Sequence, residues 1–142
     1  MIEFLSVNDG ETPRIKTAFS AGADLYANVD CTIMPRESKL IPNGVKLNLE
    51  SITKEEQQCL YIAIVPRSST PKKGLLIPNS PGTVDLDFPN EIGTLVYNYT
   101  DIPVHIKRGE SISQLILKPH STHLLNVPIE DTIRADGFGS TD

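Results

Sequence analysis

Residues 79–90 bring two carboxylates and an aromatic ring close to a turn. Asp85 and Asp87 are separated by one residue, Phe88 follows, and glycine and proline residues nearby interrupt regular structure. The β-branched and apolar residues around the turn predict a β-hairpin over residues 83–96. The backbone amides and carbonyls of such a hairpin can read a flat heterocycle, with Asp85 and Phe88 beside it. An acidic turn between two strands is the alternative interpretation.

The stretch 66–73 combines cations with hydroxyl groups. Arg67 is followed by three hydroxyl residues and, shortly after, by two lysines. A guanidinium group, hydroxyls and exposed amides suit the oxygens of a phosphate. A helix N-terminus capped by Ser69 or Thr70 is the alternative, and the two interpretations are compatible because helix N-termini bind anions.

Two polar residues stand in segments that otherwise resemble packed structure. Asp24 follows the small residues 20–23, so a packed turn capped by Asp24 and a functional carboxylate are both consistent with the pattern. Gln114 lies among the apolar residues of a predicted strand over 111–117. Because a buried glutamine must be hydrogen bonded, Gln114 is predicted to be a structural cross-link or part of a site.

The C-terminal residues 134–142 are rich in glycine but carry a cation, an aromatic ring and two hydroxyl groups. A composition of this kind predicts a disordered terminus. The alternative is an arm that orders over a ligand. In that case Phe138 would stack on a ring. Arg134, Ser140 and Thr141 would meet phosphates.

The composition predicts one soluble globular domain. The chain has 142 residues, of which 39% are hydrophobic, and no long apolar run, which suits a single sizeable core. The N-terminus carries neither a signal peptide nor a membrane span, so we expect a cytoplasmic protein with no membrane partner. The net charge of −5 argues against nucleic acid as a partner. Cys31 and Cys59 stand alone and are expected to be buried thiols.

Apolar patterns separated by turn residues predict short strands along the chain. Residues 45–49 alternate apolar and polar side chains, as in a strand with one buried face. The polar run 51–58 is predicted to be a solvated insertion, with a helical turn capped by Ser51 or Thr53. The other predicted strands cover residues 2–7, 59–65, 94–99, 104–106, 111–117 and 124–129.

Five stretches of the chain, taken together, resemble the five sequence motifs of the trimeric deoxyuridine triphosphatases (dUTPases). The resemblance holds in order and in approximate spacing, and it extends from about residue 14 to the end of the chain. The presence of all five in sequence makes it specific. The stretches are residues 21–26, 66–69, 82–88, 109–115 and 134–141.

The resemblance implies an all-β subunit, a distorted jelly-roll β-barrel of residues 1–133, followed by a flexible arm of residues 134–142. It also implies a homotrimer with active sites at subunit interfaces, where the arm closes on the site of a neighbouring subunit. The implied reaction is hydrolysis of dUTP to dUMP and pyrophosphate by attack of water on the α-phosphorus, with Mg²⁺ as cofactor. Such a reaction keeps dUTP low and supplies dUMP for dTTP synthesis.

By the same resemblance, Asp85 activates the attacking water. As a base it is expected to remain unpaired with arginine, so that it can accept a proton. Asn79 and the hairpin backbone read uracil, and Phe88 packs on the sugar and leaves no room for a 2′-hydroxyl group. The matching hairpin positions are Gly82, Thr83 and Val84.

The resemblance also assigns the phosphates and the metal. Gln114 bonds phosphate or ordered water, and Asp24 holds water around Mg²⁺, so no direct protein ligand of the metal is expected. A triphosphate is strongly anionic, and cations with fixed donors must offset its repulsion of the attacking water. The remaining implied substrate-binding residues are Arg67, Ser68 and Ser69 in the loop and Arg134, Phe138, Gly139, Ser140 and Thr141 in the arm.

This chain departs from the family pattern at several positions, which bears on affinity more than on the class of reaction. Phe88 stands where tyrosine is usual, so the hydroxyl is lost and the stacking face is kept. Ser69 stands where glycine is common, and Ser111 stands where arginine is common. The tail is one residue shorter between Arg134 and Phe138.

Two other functions are consistent with parts of the sequence. The dCTP deaminases resemble this fold and share a stretch like residues 67–69. They need a glutamate base on the strand after the hairpin. The corresponding position in this chain is at about Leu95, whose side chain cannot transfer a proton. The second alternative is a trimer that lacks catalysis and serves as a binding or regulatory module. The retention of the whole charged set argues against it.

Overall fold

The expected all-β architecture is confirmed by a computed structural model, which describes residues 1–131 and 134. Helix in these residues is limited to α1, Lys54–Cys59, and to the 3₁₀ turns Leu49–Ser51, Pro71–Lys73 and Thr122–Leu124. The strands are β1 Phe4–Ser6, β2 Ala23–Tyr26, β3 Cys31–Ile33, β4 Ser38–Pro42, β5 Val45–Leu47, β6 Leu60–Val65, β7 Leu75–Leu76, β8 Gly82–Asp85, β9 Gly93–Asn98, β10 Val104–Ile106 and β11 Ser111–Pro119.

Antiparallel pairing joins these strands into the sheets of a jelly-roll subunit. The largest sheet has the strand order β2-β11-β6-β8, and a second has the order β4-β9-β7. β1 also pairs with β5, and β10 pairs with β3. β11 lies between β2 and β6 in the largest sheet. It therefore connects the strand that carries Asp24 with the strand that leads to Arg67.

Two apolar clusters fill the interior, because successive side chains of a strand point to opposite faces. β9 follows this pattern, with Thr94, Val96 and Asn98 buried and the residues between them only partly buried. The first core cluster contains Leu25, Val45, Leu47, Ile52, Ile62, Ile64, Leu86, Phe88, Ile92 and Leu115. The second core cluster contains Ala27, Ile33, Ile41, Leu75, Val96, Ile106 and Ile112.

Three buried polar side chains form a chain of hydrogen bonds within the interior. Asn43, Thr94 and Ser113 are each no more than 1% exposed. The Asn43 amide donates to the Tyr26 carbonyl at 3.0 Å, and the Thr94 hydroxyl donates to Asn43 Oδ1 at 2.8 Å. Since that bond uses the only hydroxyl proton of Thr94, Ser113 Oγ, 2.8 Å away, is the donor of the third bond.

The predicted hairpin over residues 83–96 is wrong. β8 pairs with β6, whereas β9 pairs with β4 and β7 in a different sheet. The connection between β8 and β9 contains Leu86, Phe88 and Ile92, which belong to the first core cluster. Because these side chains are buried, the connection crosses the interior from one sheet to the other and does not fold back on β8.

The predicted strand over residues 124–129 is also wrong. The 3₁₀ turn takes its first residue, and no strand follows within the described part of the chain. Its apolar side chains are exposed, and Leu124 is 75% and Ile129 81% accessible. A strand needs a neighbouring edge to pair its backbone. Among residues 1–131 this segment is not paired with the edge of any sheet.

The polar insertion forms α1, and its cap is Thr53, not Ser51. Thr53 Oγ1 accepts from the Glu56 amide at 3.0 Å, and Glu56 Oε1 accepts from the Thr53 amide at 2.9 Å. This reciprocal pair satisfies two backbone donors at the start of the helix. The hydrogen bond from the Thr53 amide also holds the pKa of the Glu56 carboxyl below its ordinary value. The helix buries none of its residues, in line with a solvated insertion.

Two expectations drawn from composition concern the cysteines and the membrane. Cys31 and Cys59 are both free, but they are only partly buried, so the expected burial is overstated. Burial is still sufficient to raise the pKa of the Cys31 thiol. Across residues 1–131 and 134, no helix combines the length and apolar character needed to cross a membrane.

Candidate active site

The candidate residues that the structure describes fall into two groups. We call Asp24, Arg67, Ser69 and Gln114 the Arg67 cluster, and Asp85, Asp87, Phe88 and Arg134 the Asp85 cluster. Each group joins residues that are far apart in sequence.

An ion pair between Arg67 and Asp24 is the centre of the Arg67 cluster. Arg67 Nε lies 3.1 Å from Asp24 Oδ1, and Arg67 Nη1 donates to Ser69 Oγ at 3.4 Å. The Asp24 side chain is only 6% exposed, and Lys16 Nζ stands 3.7 Å from its Oδ2. Burial, and after it the Asp24 carboxylate, raise the pKa of Tyr26. The site thus holds a concentrated, partly shielded set of charges.

Gln114 is fixed beside this ion pair from two sides. β11 places it level with Asp24 in the ladder, and its Nε2 donates to the Pro66 carbonyl at 3.0 Å. A Cβ atom at Gly22 would stand 2.5 Å from Gln114 Oε1, so the Gln114 carboxamide would have to shift if residue 22 carried a side chain. Gln114 is therefore a cross-link between β11 and residues 66–70, which we call the Arg67 loop.

Thr70 holds the Arg67 loop against β11. It is 1% exposed, and its hydroxyl accepts from the Arg67 amide at 2.9 Å and donates to the Ile112 carbonyl at 3.1 Å. The predicted helix cap is wrong, because the Thr70 side chain makes no capping bond and the following 3₁₀ turn, Pro71–Lys73, has only three residues. Lys73 instead pairs with Glu110 at 2.7 Å.

Replacing Thr70 by valine is expected to lower the free energy of unfolding by about 1–3 kcal/mol, because two backbone groups lose their partner while the shape is kept. Denaturant titration followed by circular dichroism measures this loss. Thr70→Ser retains the hydroxyl and serves as the matched control, and it should remain closer to the wild type. A loss in Thr70→Ser with Thr70→Val close to the wild type would contradict this prediction and assign the effect to packing of the methyl group.

Asp85 ends β8 and is paired with Arg134. Arg134 Nη1 lies 2.6 Å from Asp85 Oδ2 and 3.5 Å from Asp87 Oδ1. The guanidinium carbon stands 5.2 Å from the centre of the Phe88 ring, in a cation–π contact. The expectation that Asp85 is unpaired with arginine is therefore wrong for this chain. The two carboxylates and the face of the ring together form a favourable binding site for one guanidinium group.

The residues expected to read a base lie at the start of the same strand. Asn79 and Thr83 are exposed, Gly82 is buried and Val84 is partly buried. A Cβ atom at Gly82 would stand 3.4 Å from Asn79 Nδ2, so the Asn79 amide lies over the strand backbone. Ser68, in the Arg67 loop, is exposed as well.

A pocket of about 250 Å³ opens beside Asp85. Thr83 and Asp85 line it together with three residues that the sequence analysis missed, namely Tyr61, His120 and Thr122. The rings of Tyr61 and His120 meet edge to face, 5.9 Å apart. Tyr61 is level with Asp85 in the β6–β8 ladder. Only that strand register brings them together, and no local sequence signal reports it.

The two clusters share one face of the largest sheet but lie far apart on it. Gln114 is level with Asp24, whereas Lys118, further along β11, is level with Asp85 across β6. At the usual rise per residue and strand spacing, the Gln114 and Asp85 backbones are about 16 Å apart. Four residues along β11 and two strand spacings therefore separate the two clusters of one chain.

Two further expectations concern the arm and the metal. The candidate residues Phe138, Gly139, Ser140 and Thr141 lie outside the described residues. In the part of the chain that is described, no group of three or more His, Cys, Asp or Glu residues could hold a metal ion directly. Asp24 Oδ2 is buried without a hydrogen-bond partner among those residues, so it has an acceptor position that fits a metal-bound water.

Fold and site together define a class of protein. An antiparallel all-β subunit presents an arginine and hydroxyl loop suited to phosphate oxygens, and elsewhere an acidic cluster with an aromatic ring and a pocket. These are the parts needed to hold a phosphorylated ring compound such as a nucleotide.

The chain belongs to the dUTPase family, as the resemblance of its five motifs predicts: the dUTPase family model matches residues 8–142. A similar relative is the deoxyuridine 5′-triphosphate nucleotidohydrolase of Methylocella silvestris, with 36% identity over 137 residues, covering 91% of this chain and 81% of the relative. The crystal structure of dUTPase from Streptococcus mutans is 28% identical, with a TM-score of 0.70, and covers 82% of this chain and 94% of its own.

A more distant structural neighbour shares the fold. It is a mutant dUTPase from phage phi11 of S. aureus, described for how it coordinates a structural Mg(II) ion. It is 18% identical to this chain, with a TM-score of 0.75, and the match covers 93% of this chain and 98% of the neighbour.

Proposed function

We propose that this protein hydrolyses dUTP to dUMP and pyrophosphate by attack of water on the α-phosphorus. Such an activity lowers dUTP and supplies dUMP for dTTP synthesis. The observation that carries the proposal is that this member of the dUTPase family keeps a carboxylate, Asp85, at the end of β8. It also keeps Arg67 and Gln114, which suit phosphate oxygens, beside the buried Asp24.

Asp85 is the general base in this mechanism. It is 58% exposed, which leaves it accessible to a water molecule. Arg134 must leave Asp85 before the carboxylate can accept a proton, because an ion-paired carboxylate is a weaker base. Departure of Arg134 would also uncover the Phe88 ring, on which the deoxyribose then packs. The ring excludes a 2′-hydroxyl and so rejects UTP.

Uracil is read by the residues that precede Asp85. Asn79 offers an amide with both donors and an acceptor, and the backbone of Gly82, Thr83 and Val84 adds further N–H and C=O groups. The exposure of Asn79 and Thr83 supports this role, since both can reach an incoming base.

The phosphates are held by the Arg67 cluster. Arg67, Ser68 and Ser69 donate to their oxygens, and Gln114 orients a phosphate oxygen or the attacking water. Mg²⁺ would be held through water by Asp24, whose Oδ2 has a vacant acceptor position, and when bound it would offset charge on the triphosphate.

We further propose a homotrimer whose active sites are shared between subunits. The distance of about 16 Å between the two clusters of one chain supports this, because each site can then take its Arg67 cluster from a neighbouring chain. The exposed apolar side chains of residues 124–129 support it as well, since exposed apolar groups of this kind mark contact surfaces.

The arm, residues 134–142, is the remaining part of the shared site. With residues 1–133 as the barrel domain, the arm would close over the triphosphate, with Phe138 stacking on the base. Gly139, Ser140 and Thr141 would meet phosphate oxygens, and Arg134 would exchange its carboxylate partners for phosphate.

A panel of nucleotides tests the function. Pyrophosphate release is expected with dUTP and Mg²⁺. It is expected to be at least about 100-fold slower with dCTP, dATP and dGTP, because a hydrogen-bonding site strongly rejects a base with the wrong donors and acceptors. Slow release is also expected with UTP, because the Phe88 ring excludes its 2′-hydroxyl group. Release of ammonia from dCTP would instead support the deaminase alternative, which Leu95 on β9 disfavours. Binding of dUTP without pyrophosphate release would support a silent binding module.

A further inference from the structure

The helix α1 contacts the turn that carries the two carboxylates of the Asp85 cluster. Gln57, in the third position from the end of α1, donates its Nε2 to the Leu86 carbonyl at 3.1 Å. Leu86 is the residue between Asp85 and Asp87. We propose that Gln57 is a positioning residue, which holds the Asp85 carboxylate in the orientation that hydrolysis requires. This inference rests on the proposed role of Asp85 as the base.

The backbone around Leu86 needs such a partner. The Phe88 amide donates to the Asp85 carbonyl at 3.1 Å, which closes a tight turn and aims the intervening carbonyl outward. Leu86 is 2% exposed, with its side chain in the first core cluster. A carbonyl in a buried residue loses stability if it has no hydrogen-bond donor. Gln57 provides that donor from a separate element.

The position of Gln57 is itself well fixed. The Gln57 amide donates to the Thr53 carbonyl at 3.0 Å, within the first turn of α1, and the capping box of Thr53 and Glu56 closes the start of that turn. The preceding residue, Ile52, is 8% exposed and belongs to the same core cluster as Leu86. Helix and turn are therefore anchored in one apolar cluster and joined by one hydrogen bond.

Asp85 depends on that bond because it is the last residue of β8. Pairing with Tyr61 fixes its backbone on the side of β6, and the ladder ends there. On the C-terminal side of Asp85, the turn that Gln57 contacts is the element that holds the backbone in place among the described residues. Displacing a general base by a small distance lowers the rate of hydrolysis strongly. Binding of uracil and of the phosphates depends on other residues. The polar insertion would thus serve catalysis and not binding.

The variants Gln57→Glu and Gln58→Glu test the proposal as a matched pair. Both add one negative charge at neighbouring positions of α1, but only Gln57→Glu removes the donor to Leu86, because Gln58 is exposed. We expect Gln57→Glu to lower kcat for dUTP about tenfold with KM changed less than about twofold, the pattern of lost alignment. Gln58→Glu should retain the kcat of the wild type. Gln57→Ala, which adds no charge, should lower kcat in the same way.

Hydrogen exchange provides a second readout that does not require turnover. The Phe88 amide should exchange faster in Gln57→Glu and Gln57→Ala than in Gln58→Glu, while the amides of β11 keep wild-type protection. Equal kcat and equal Phe88 exchange in Gln57→Glu and Gln58→Glu would overturn the inference, as would a rise in KM at unchanged kcat. If the wild type failed to hydrolyse dUTP, the proposed function would be wrong. Unchanged exchange of the Phe88 amide in Gln57→Glu and Gln57→Ala would separately refute the proposed positioning role of Gln57.

Discussion

Asp85→Asn is expected to lower kcat for dUTP by at least about 100-fold, the lower range of what a general base contributes. Asparagine keeps the size of the side chain and its hydrogen-bonding reach, but it cannot accept the proton of the attacking water. The fold should persist, since Asp85 is 58% exposed. Pyrophosphate release measures kcat, and calorimetric titration with dUMP should give a Kd close to that of the wild type.

Asp87→Asn is the control for this experiment. Asp87 is also within ion-pair distance of Arg134, at 3.5 Å, so both variants weaken the same pairing. If Asp85 is the base, Asp87→Asn retains most of the wild-type kcat. Retained turnover in Asp85→Asn together with a large loss in Asp87→Asn would move the base to Asp87.

Mixed trimers of two inactive variants are expected to recover activity. Arg67→Ala removes a phosphate donor and Asp85→Asn removes the base, so a homotrimer of either variant has three defective sites. If each site takes Asp85 from one subunit and Arg67 from another, random co-assembly at equal amounts leaves about a quarter of the sites intact. Co-refolding the two variants and measuring pyrophosphate release should therefore give about a quarter of the wild-type rate at the same concentration.

Three refolded samples control the complementation. Each variant refolded alone should stay inactive, and wild type refolded with Asp85→Asn should retain about half of its sites, because half of the Asp85 positions are intact. No recovery in the mixture of Arg67→Ala with Asp85→Asn would mean that both clusters act within one chain. The separation of about 16 Å estimated from the sheet register would then have to be spanned within one subunit.

Local patterns in the sequence were sufficient for much of the fold. The alternation over residues 45–49 predicted β5, in which Val45 and Leu47 are buried, and the apolar run 59–65 predicted β6. These features depend on neighbouring side chains that share a face or a buried strand. The structure brings Arg67, Asp24 and Gln114, which come from three of the motifs, close together, but their role in binding phosphate stays a prediction.

Partners that are distant in sequence could not be predicted in this way. The predicted hairpin over residues 83–96 was wrong because the turn residues do not decide which strands pair. The segment around Phe88 is buried between two sheets, so the strands before and after it pair in different sheets. The ion pair of Asp85 with Arg134 and the pocket residue His120 depend on the same tertiary arrangement. A sequence pattern carries the period of a strand but not the identity of its neighbour.

The chain of hydrogen bonds through Asn43, Thr94 and Ser113 constrains how this protein can change over evolutionary time. Loss of one member leaves a buried polar partner without a hydrogen bond, which lowers the free energy of unfolding by about 1–3 kcal/mol. Apolar replacement of all the members together can be nearly neutral. Sequences that have lost only some of these polar residues are therefore less stable than sequences that keep all of them or have replaced all of them. Asn43, in the turn between β4 and β5, is thereby tied to residues of β9 and β11, and tolerated substitutions at these positions should arise together.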